Sequence, residues 1–234
     1  MANILNIETS SSICSVALAK DGEIMQGFES SNKMDHSSSL APFVEKCLVF
    51  LREKKEKLDA VSVSAGPGSY TGLRIGLSLA KGVCFGYNIP LILISSLEIL
   101  AIRAIFTYPD IMGNELIVPM IDARRMEVYS AVYDCRLNVI EPQRSLILDS
   151  NTLSNQKGKS KLLFIGDGTE KFRSIYGDEE AIWLGTGMPH AKYMANISEK
   201  YYREQKFSDI AYSVPNYLKE YQTTHSKNRI LNND

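Results

Sequence analysis

Residues 66–76, Gly-Pro-Gly-Ser-Tyr-Thr-Gly-Leu-Arg-Ile-Gly, have the composition of a turn that could hold an anion. They follow a short apolar strand and open a helix. Glycine lets another backbone or a ligand approach closely, and the first N–H groups of a helix favour negative charge. Two interpretations stay open, a phosphate-type cradle and a tight structural turn. The run lacks the lysine of a P-loop and the dinucleotide-binding spacing, so it does not name a ligand.

The titratable residues give no convincing catalytic constellation. Glu8 ends the first strand beside a hydroxyl-rich turn, where it could act as a general base or as a hydrogen-bonding carboxylate. The three histidines, His36, His190 and His225, include no pair at metal-ligand spacing, and His36 is interpreted as a surface residue preceding a helix. Since no nucleophile and base are paired by any motif, we expect no catalytic residues.

Composition is typical of an ordinary globular protein. The 234 residues are 44% hydrophobic and 23% charged, with a formal net charge of −1. Strong unaided binding to a nucleic-acid backbone is therefore not expected, and neither a secretory signal nor a membrane span is indicated. The four cysteines are Cys14, Cys47, Cys84 and Cys135. Their scattered, apolar surroundings predict buried reduced thiols and a cytoplasmic protein, without a disulfide framework or a metal site.

The first half of the chain predicts three antiparallel strands and then alternating helices and strands. The strands are Asn3–Glu8, Ile13–Lys20 and Glu23–Glu29, with an Asp-Gly hairpin signal at residues 21–22. The following elements are helix Ser39–Lys54, strand Ala60–Ala65, helix Thr71–Gly86, strand Pro90–Ile94 and helix Ser96–Phe106. This order predicts a mixed five-stranded α/β sheet with helices on its faces. Such an arrangement resembles the half-domain of the actin, Hsp70 and sugar-kinase (ASKHA) fold.

The second half has a weaker pattern. It predicts strands Glu115–Asp122, Met126–Asp134, Ser145–Leu148 and Lys161–Ile165, and a helix Ala191–Gln205. Asp122 and Arg124 are expected to fix the turn after the first of these strands through hydrogen bonds and an ion pair. No internal repeat is evident. We assign residues 1–106 to the actin-like half-domain, 107–221 to a smaller, less regular α/β domain, and 222–234 to a polar tail.

Several runs together resemble the bacterial TsaB (YeaZ-like) family. They are Leu-Asn-Ile-Glu-Thr-Ser at 5–10, Cys-Ser-Val-Ala-Leu at 14–18, the glycine run at 66–76, Ile-Asp-Ala-Arg at 121–124, Glu-Val-Tyr at 127–129 and Pro-Asn-Tyr-Leu at 215–218. The resemblance extends to about Leu218 and implies the actin-type fold. Within that fold, a vestigial phosphate loop would comprise Thr9, Ser10, Gly66, Gly68, Ser69, Thr71 and Gly72.

The resemblance also implies that this chain is not an enzyme. TsaB is related to TsaD, the enzyme that places threonylcarbamoyl on an adenosine beside the anticodon of certain tRNAs. TsaD-type enzymes carry His-x-x-x-His at the start of a helix, where both rings can bind one metal. Ser96 and Leu100 stand at those positions here, and Ser12 and Ile13 replace an acidic pair near the first turn. We therefore expect no metal site and no metalloprotease activity.

The role implied is that of a partner subunit. A TsaB-like chain would bind and activate a TsaD-like transferase, a TsaE-like ATPase would join that pair, and tRNA would be contacted only indirectly. No cofactor and no membrane are implied, although weak nucleotide binding stays open. The alternative function is that of a small-molecule phosphotransferase of the sugar-kinase type. Glu8 and the glycine run would supply only part of its site, because the second half shows no convincing second phosphate turn.

Two helices, Ser39–Lys54 and Thr71–Gly86, carry more apolar residues than one buried stripe requires. Surplus apolar surface predicts a docking face for the TsaD-like partner and a homodimer when the chain is alone. Complete burial of both helices inside the monomer is the alternative. The candidate contact residues are Val44, Cys47, Leu51, Leu73, Gly76, Leu77 and Ala80.

Overall fold

Two five-stranded mixed sheets form the body of the protein. They are seen in a computed structural model that describes residues 2–31, 36–111, 113–156, 158, 160–177 and 180–219. The first sheet contains β1 (Asn3–Glu8), β2 (Cys14–Lys20), β3 (Glu23–Ser30), β4 (Ala60–Gly66) and β5 (Leu91–Ser95). The second contains β6 (Leu116–Asp122), β7 (Glu127–Asp134), β8 (Val139–Ile147), β9 (Leu162–Ile165) and β10 (Ile182–Trp183).

The two sheets have the same topology. The strand order is β3-β2-β1-β4-β5 in the first and β8-β7-β6-β9-β10 in the second. In each sheet three antiparallel strands come first in the chain, and two further strands then add in parallel on the other side. The second half is thus a structural repeat of the first, which simple inspection of the sequence did not reveal.

Helices cover both faces of the first sheet. α1 (His36–Lys54) and α2 (Tyr70–Tyr87) pack over one shared apolar core, whereas α3 (Ser96–Thr107) and α5 (Ala195–Arg203) pack on another. β1 is buried along its whole length, as expected for a central strand covered on both faces. α4 (Thr169–Arg173) follows β9 in the second half. Within the described residues, the helices are too short or too polar to cross a membrane.

α3 joins the two halves of the molecule. Ile99 and Ile102 pack with residues of the first sheet, and Leu97 and Leu100 pack with residues of the second. This helix is apolar on nearly all sides because it contacts a sheet in each half. α3 therefore forms an apolar connection between the two halves, and a cleft can lie beside it.

The elements predicted for residues 3–106 are all present, with ends shifted by a few residues. The second half differs more: β8 is longer than predicted, and α4 and β10 were not predicted. The predicted helix Ala191–Gln205 is a 3₁₀ turn at Ala191–Met194 followed by α5. Both pieces pack against the first sheet rather than within the second domain, because their apolar residues share a core with β1 and β5. The proposed tail, residues 222–234, lies outside the described residues.

Candidate functional site

A cleft of about 1150 Å³ opens between the two sheets. The first half lines it with the β1–β2 turn at Ser10–Ser12 and with the start of α2. The second half lines it with Asp122–Arg124, Asp167 and residues 187–189. Residues 216–219 complete the wall. The turns that the sequence singled out for chemistry therefore meet at one place.

Glu8 lies beneath this cleft and is fully buried. Its Oε1 accepts a hydrogen bond of 2.5 Å from the Ser10 backbone N–H. Burial raises the pKa of Glu8 from 4.5 to about 7, against smaller opposing effects from Ser10 and Ser64. A carboxyl group in such a site holds its proton close to neutral pH. Its contacts match the hydrogen-bonding role that was one of the two interpretations.

The glycine run packs against the β1–β2 turn. A Cβ atom on Gly68 would stand 2.3 Å from the Ser10 carbonyl oxygen, and one on Gly72 would stand 2.1 Å from the Thr9 carbonyl oxygen. The Ser69 N–H donates to the Ser10 carbonyl at 2.7 Å. These contacts are closer than any side chain would permit, so the glycines serve the close approach of two backbone segments.

The same run starts α2 and contributes to the cleft wall. Ser69 is the N-cap, and its Oγ accepts a hydrogen bond of 3.2 Å from the Gly72 N–H. Five of the phosphate-loop candidates line the cleft: Ser10, Gly68, Ser69, Thr71 and Gly72. Thr9 and Gly66 are buried behind them. The phosphate-loop role of these residues stays a prediction.

The turn between β6 and β7 is fixed by hydrogen bonds, as expected, but with a different ion pair. Asp122 Oδ1 accepts from the Arg124 backbone N–H at 2.5 Å, and the Asp122 N–H donates to Asp167 Oδ1 at 2.9 Å. The ion-pair partner of Asp122 is Lys171, with Nζ 3.0 Å from Oδ2. Burial raises the pKa of Asp167. Arg124 is exposed, and its backbone takes a positive φ of 69°. The charge of its side chain alone therefore did not predict how Arg124 sits in the turn.

The two α3 positions at which the sequence analysis looked for histidine ligands hold serine and leucine, and Leu100 lies against the cleft. Ser96 and Leu100 are both fully buried on α3. Among the described residues, no group of three or more histidine, cysteine or acidic side chains could hold a metal ion. His36 Nε2 lies 3.0 Å from the Ser11 carbonyl oxygen, so this residue is buried at the start of α1 rather than free at the surface. His225 lies outside the described residues.

His190 has a partner that sequence reasoning missed. Its Nε2 lies 2.5 Å from Glu29 Oε2, and its Nδ1 accepts from the Lys192 N–H at 3.1 Å. Burial lowers the pKa of His190, while Glu29 opposes that effect. The pair links β3 to the segment before α5 and is separated by a long stretch of sequence, which no local pattern reveals.

The candidate contact residues on the two helices are buried rather than exposed. Val44, Cys47, Leu51, Leu73, Gly76, Leu77 and Ala80 all lie under α1 and α2. They pack against the first sheet because both helices share one core with β1, β2 and β4. These seven residues cannot touch a partner, and the predicted contact set is wrong in that respect. The large apolar side chains that are exposed on the two helices are instead Val49, Phe85 and Tyr87.

The cysteines form no disulfide. Cys14, Cys47 and Cys84 are buried, and burial raises the pKa of each thiol to about 11. Cys135 is only partly buried, so the prediction of complete burial holds for three of the four.

Comparison with known proteins places this architecture in a family. A family model for TsaD, described as tRNA N6-adenosine threonylcarbamoyltransferase, matches residues 29–231. The Bacillus subtilis tRNA threonylcarbamoyladenosine biosynthesis protein TsaB is 30% identical over 222 residues, which cover 92% of this chain and 93% of that protein. Its Escherichia coli namesake is 29% identical, covering 92% and 94%.

A solved structure confirms the fold. YeaZ from Pseudomonas aeruginosa superposes with a TM-score of 0.79 at 24% identity, covering 93% of this chain and all of that one. Together with the paired five-stranded sheets, this similarity confirms the predicted actin/Hsp70/sugar-kinase-like α/β fold. Sequence identity, coverage and fold agree, and the chain belongs to the TsaB (YeaZ-like) family.

Proposed function

We propose that this chain is a non-catalytic subunit that binds and activates a TsaD-like transferase in the formation of threonylcarbamoyladenosine next to the anticodon of tRNA. The relatives named above are described as tRNA threonylcarbamoyladenosine biosynthesis proteins, and the TsaD family model matches most of the chain. The observation that supports the non-catalytic assignment is that α3 carries serine at position 96 and leucine at position 100. Neither side chain can replace a pair of histidine ligands on a helix face.

The proposal includes the further partners. A TsaE-like ATPase joins the complex formed with the transferase, and tRNA is contacted through the transferase. The chain works in the cytoplasm, needs no cofactor, and forms a homodimer when the transferase is absent.

The docking surface proposed is the outer face of α1 and α2. Phe85 on α2 is 83% exposed, and Val49 on α1 is 38% exposed. Apolar side chains with this exposure have no role in the core, so their replacement should leave the fold intact. Binding of a partner over these side chains would be favoured by the burial of their apolar surface.

The test combines this chain with the TsaD-like protein of the same organism and measures complex mass and affinity. A complex with at least one copy of each chain is expected, and threonylcarbamoyl transfer to tRNA should require this chain together with the TsaE-like ATPase. Phe85→Glu should weaken binding by about tenfold or more, as at a central interface residue. Ile147→Glu is the matched control, because Ile147 is 72% exposed on β8 of the second sheet.

The outcomes separate two claims. If no complex forms and transfer proceeds without this chain, the partner role is wrong. If the complex forms but Phe85→Glu and Ile147→Glu both bind with unchanged affinity, the partner role stands and the α1–α2 surface is wrong.

A further inference from the structure

The C-terminal part of the described chain runs back across the molecule after α5. The Ser208 N–H donates to the Leu91 carbonyl at 2.8 Å, and Lys81 Nζ donates to the Ala211 carbonyl at 3.1 Å. Residues 214–219, which we call the strap, then reach the cleft. Residues 216–219 of the strap line the cleft together with both halves of the molecule.

The strap is anchored to the first half at the start of α2. The Asn216 N–H donates to the Ala65 carbonyl at 2.7 Å. The ring of Tyr217 lies 5.0 Å from that of Tyr70, and Arg74 Nε donates to the Tyr217 hydroxyl at 3.1 Å. Two adjacent strap residues, Asn216 and Tyr217, are thus held to residues 65–74. The contacts are one backbone hydrogen bond, one ring contact and one side-chain hydrogen bond.

The other end of the strap is anchored to the second half. Lys219 Nζ forms an ion pair with Glu127 Oε2 at the start of β7. The Ser145 hydroxyl on β8 donates to the other oxygen of the same carboxylate. The side chain of Glu127 is only 15% exposed, so the pair is less screened by water than an ordinary surface pair. Only Leu218 therefore separates the first-half anchor Tyr217 from the second-half anchor Lys219.

The strap crosses between two halves that are also joined by the apolar contacts of α3, by a hydrogen bond of 2.9 Å from the Ser95 hydroxyl on β5 to Gln143 Oε1 on β8, and by the segment that leads to α5. Apolar contacts of α3 with both sheets allow small rotations, because such contacts have no fixed direction. An ion pair between specified atoms holds one relative position of the sheets. Because residues 216–219 line the cleft, the strap forms part of the surface that a molecule bound there would face.

We propose that the strap is a latch between the two halves of the molecule. The Lys219–Glu127 ion pair holds the two halves in one relative position across the cleft, and release of the strap lets the cleft widen. The latch does not depend on any transferase, so it can be tested on the isolated full-length chain.

The experiment measures amide hydrogen exchange in the full-length chain and in three variants: Lys219→Ala, Glu127→Gln and the double variant. Glu127→Gln removes the charge while keeping the side-chain length and an oxygen that can accept from Ser145. In both single variants, the amides of residues 10–12 and of Asn216, which donates to the Ala65 carbonyl, should exchange about tenfold faster, because release of the strap frees Asn216 and exposes the cleft wall. Amides of α3 should keep their rates. The double variant should exchange no faster than either single variant, since both remove one interaction.

Tyr212→Ala is the matched control. Tyr212 belongs to the same returning segment but is 84% exposed, and it precedes the strap. Its replacement should leave the exchange of the cleft amides unchanged. The latch is wrong if the single variants exchange within about twofold of the unmodified chain. It is equally wrong if α3 and the cleft accelerate together, or if the effects of the two single variants add in the double variant, because a general loss of stability would explain those results.

Discussion

The buried carboxyl group of Glu8 should make stability depend on pH near neutrality, and Glu8→Gln should remove that dependence. Glu8 is fully buried, and its pKa is raised from 4.5 to about 7. The folded chain therefore binds this proton more tightly than the unfolded chain does. Glutamine has nearly the same shape and can still accept the hydrogen bond from Ser10, but it cannot ionise.

The sign follows from linkage between proton binding and folding. Below pH 4.5 the carboxyl group is neutral in both states, so it adds no pH dependence. Between 4.5 and about 7 the unfolded chain releases the proton while the folded chain keeps it, so the free energy of unfolding falls as pH rises. Above about pH 7 the group is ionised in both states, and the loss is constant. The shift of 4.5 to about 7 corresponds to a loss of about 3 kcal/mol.

The assay is denaturant unfolding of the wild-type chain and of Glu8→Gln across a pH series from about 4 to about 8. The quantity compared is the difference in the free energy of unfolding between the two proteins at each pH. Other titrating groups, such as Glu98 and His190, contribute equally to both proteins and cancel. Glu45→Gln is the control, because Glu45 is exposed on α1 and its loss should preserve the wild-type profile.

The expected result is that wild type loses about 3 kcal/mol relative to Glu8→Gln as pH rises through the interval between 4.5 and about 7. A difference that stays constant to about 0.5 kcal/mol over this range would refute the reasoning. It would mean that Glu8 ionises as easily in the folded chain as in the unfolded one, and that burial at the β1–β2 turn does not hold its proton.

Two further predictions concern packing and partner choice. Gly72→Ala should lower the free energy of unfolding by about 1–3 kcal/mol, since its Cβ would stand 2.1 Å from the Thr9 carbonyl. Gly82→Ala on the same helix has open space around it and should raise stability by about 0.5–1 kcal/mol, so equal effects in a thermal melt would contradict the packing role of Gly72. The chain alone, with net charge −1, should bind tRNA only weakly at physiological salt. Tight, salt-resistant binding in a filter assay would show that it contacts RNA directly.

The first half of the fold was predictable because its elements are marked locally. The apolar strands β1 and β2 are separated by a hydroxyl-rich turn, and Asp21-Gly22 gives the next hairpin. The short strand β10, two residues long, has no such signal. The Lys219–Glu127 and His190–Glu29 pairs were not predictable either, because each joins side chains that are far apart in the sequence.

The helices α1 and α2 show where a count of apolar residues misleads. Their many apolar side chains were interpreted as surplus surface, yet the seven candidates are covered by the sheet and by each other. Two helices side by side on one sheet each bury a broad face, since each contacts both the sheet and its neighbour. The residues left for a partner are those on the opposite side, such as Phe85. A count of apolar residues in the sequence does not distinguish them from the buried ones.

The structural repeat explains why glycines occur where they do. In the first half, Gly66 is the last residue of β4 and Gly68 follows the strand, and a Cβ on Gly68 would collide with the Ser10 carbonyl in the β1–β2 turn. In the second half, Gly166 and Gly168 follow β9, and a Cβ on Gly166 would stand 2.2 Å from the Met120 carbonyl of β6.

Each half therefore has a Gly-x-Gly pair at the end of its fourth strand. These glycines let the chain that leads into the next helix lie close to the first strand of that half, or to the turn after that first strand. Each half also presents the turn between its first two strands to the same cleft: Ser10–Ser12 from one side and Asp122–Arg124 from the other. Because the repeat concerns backbone spacing rather than side-chain chemistry, the glycine pairs can be retained when the chemical groups at the turns change. The glycine run is thus strong evidence for the fold and weak evidence for a bound phosphate.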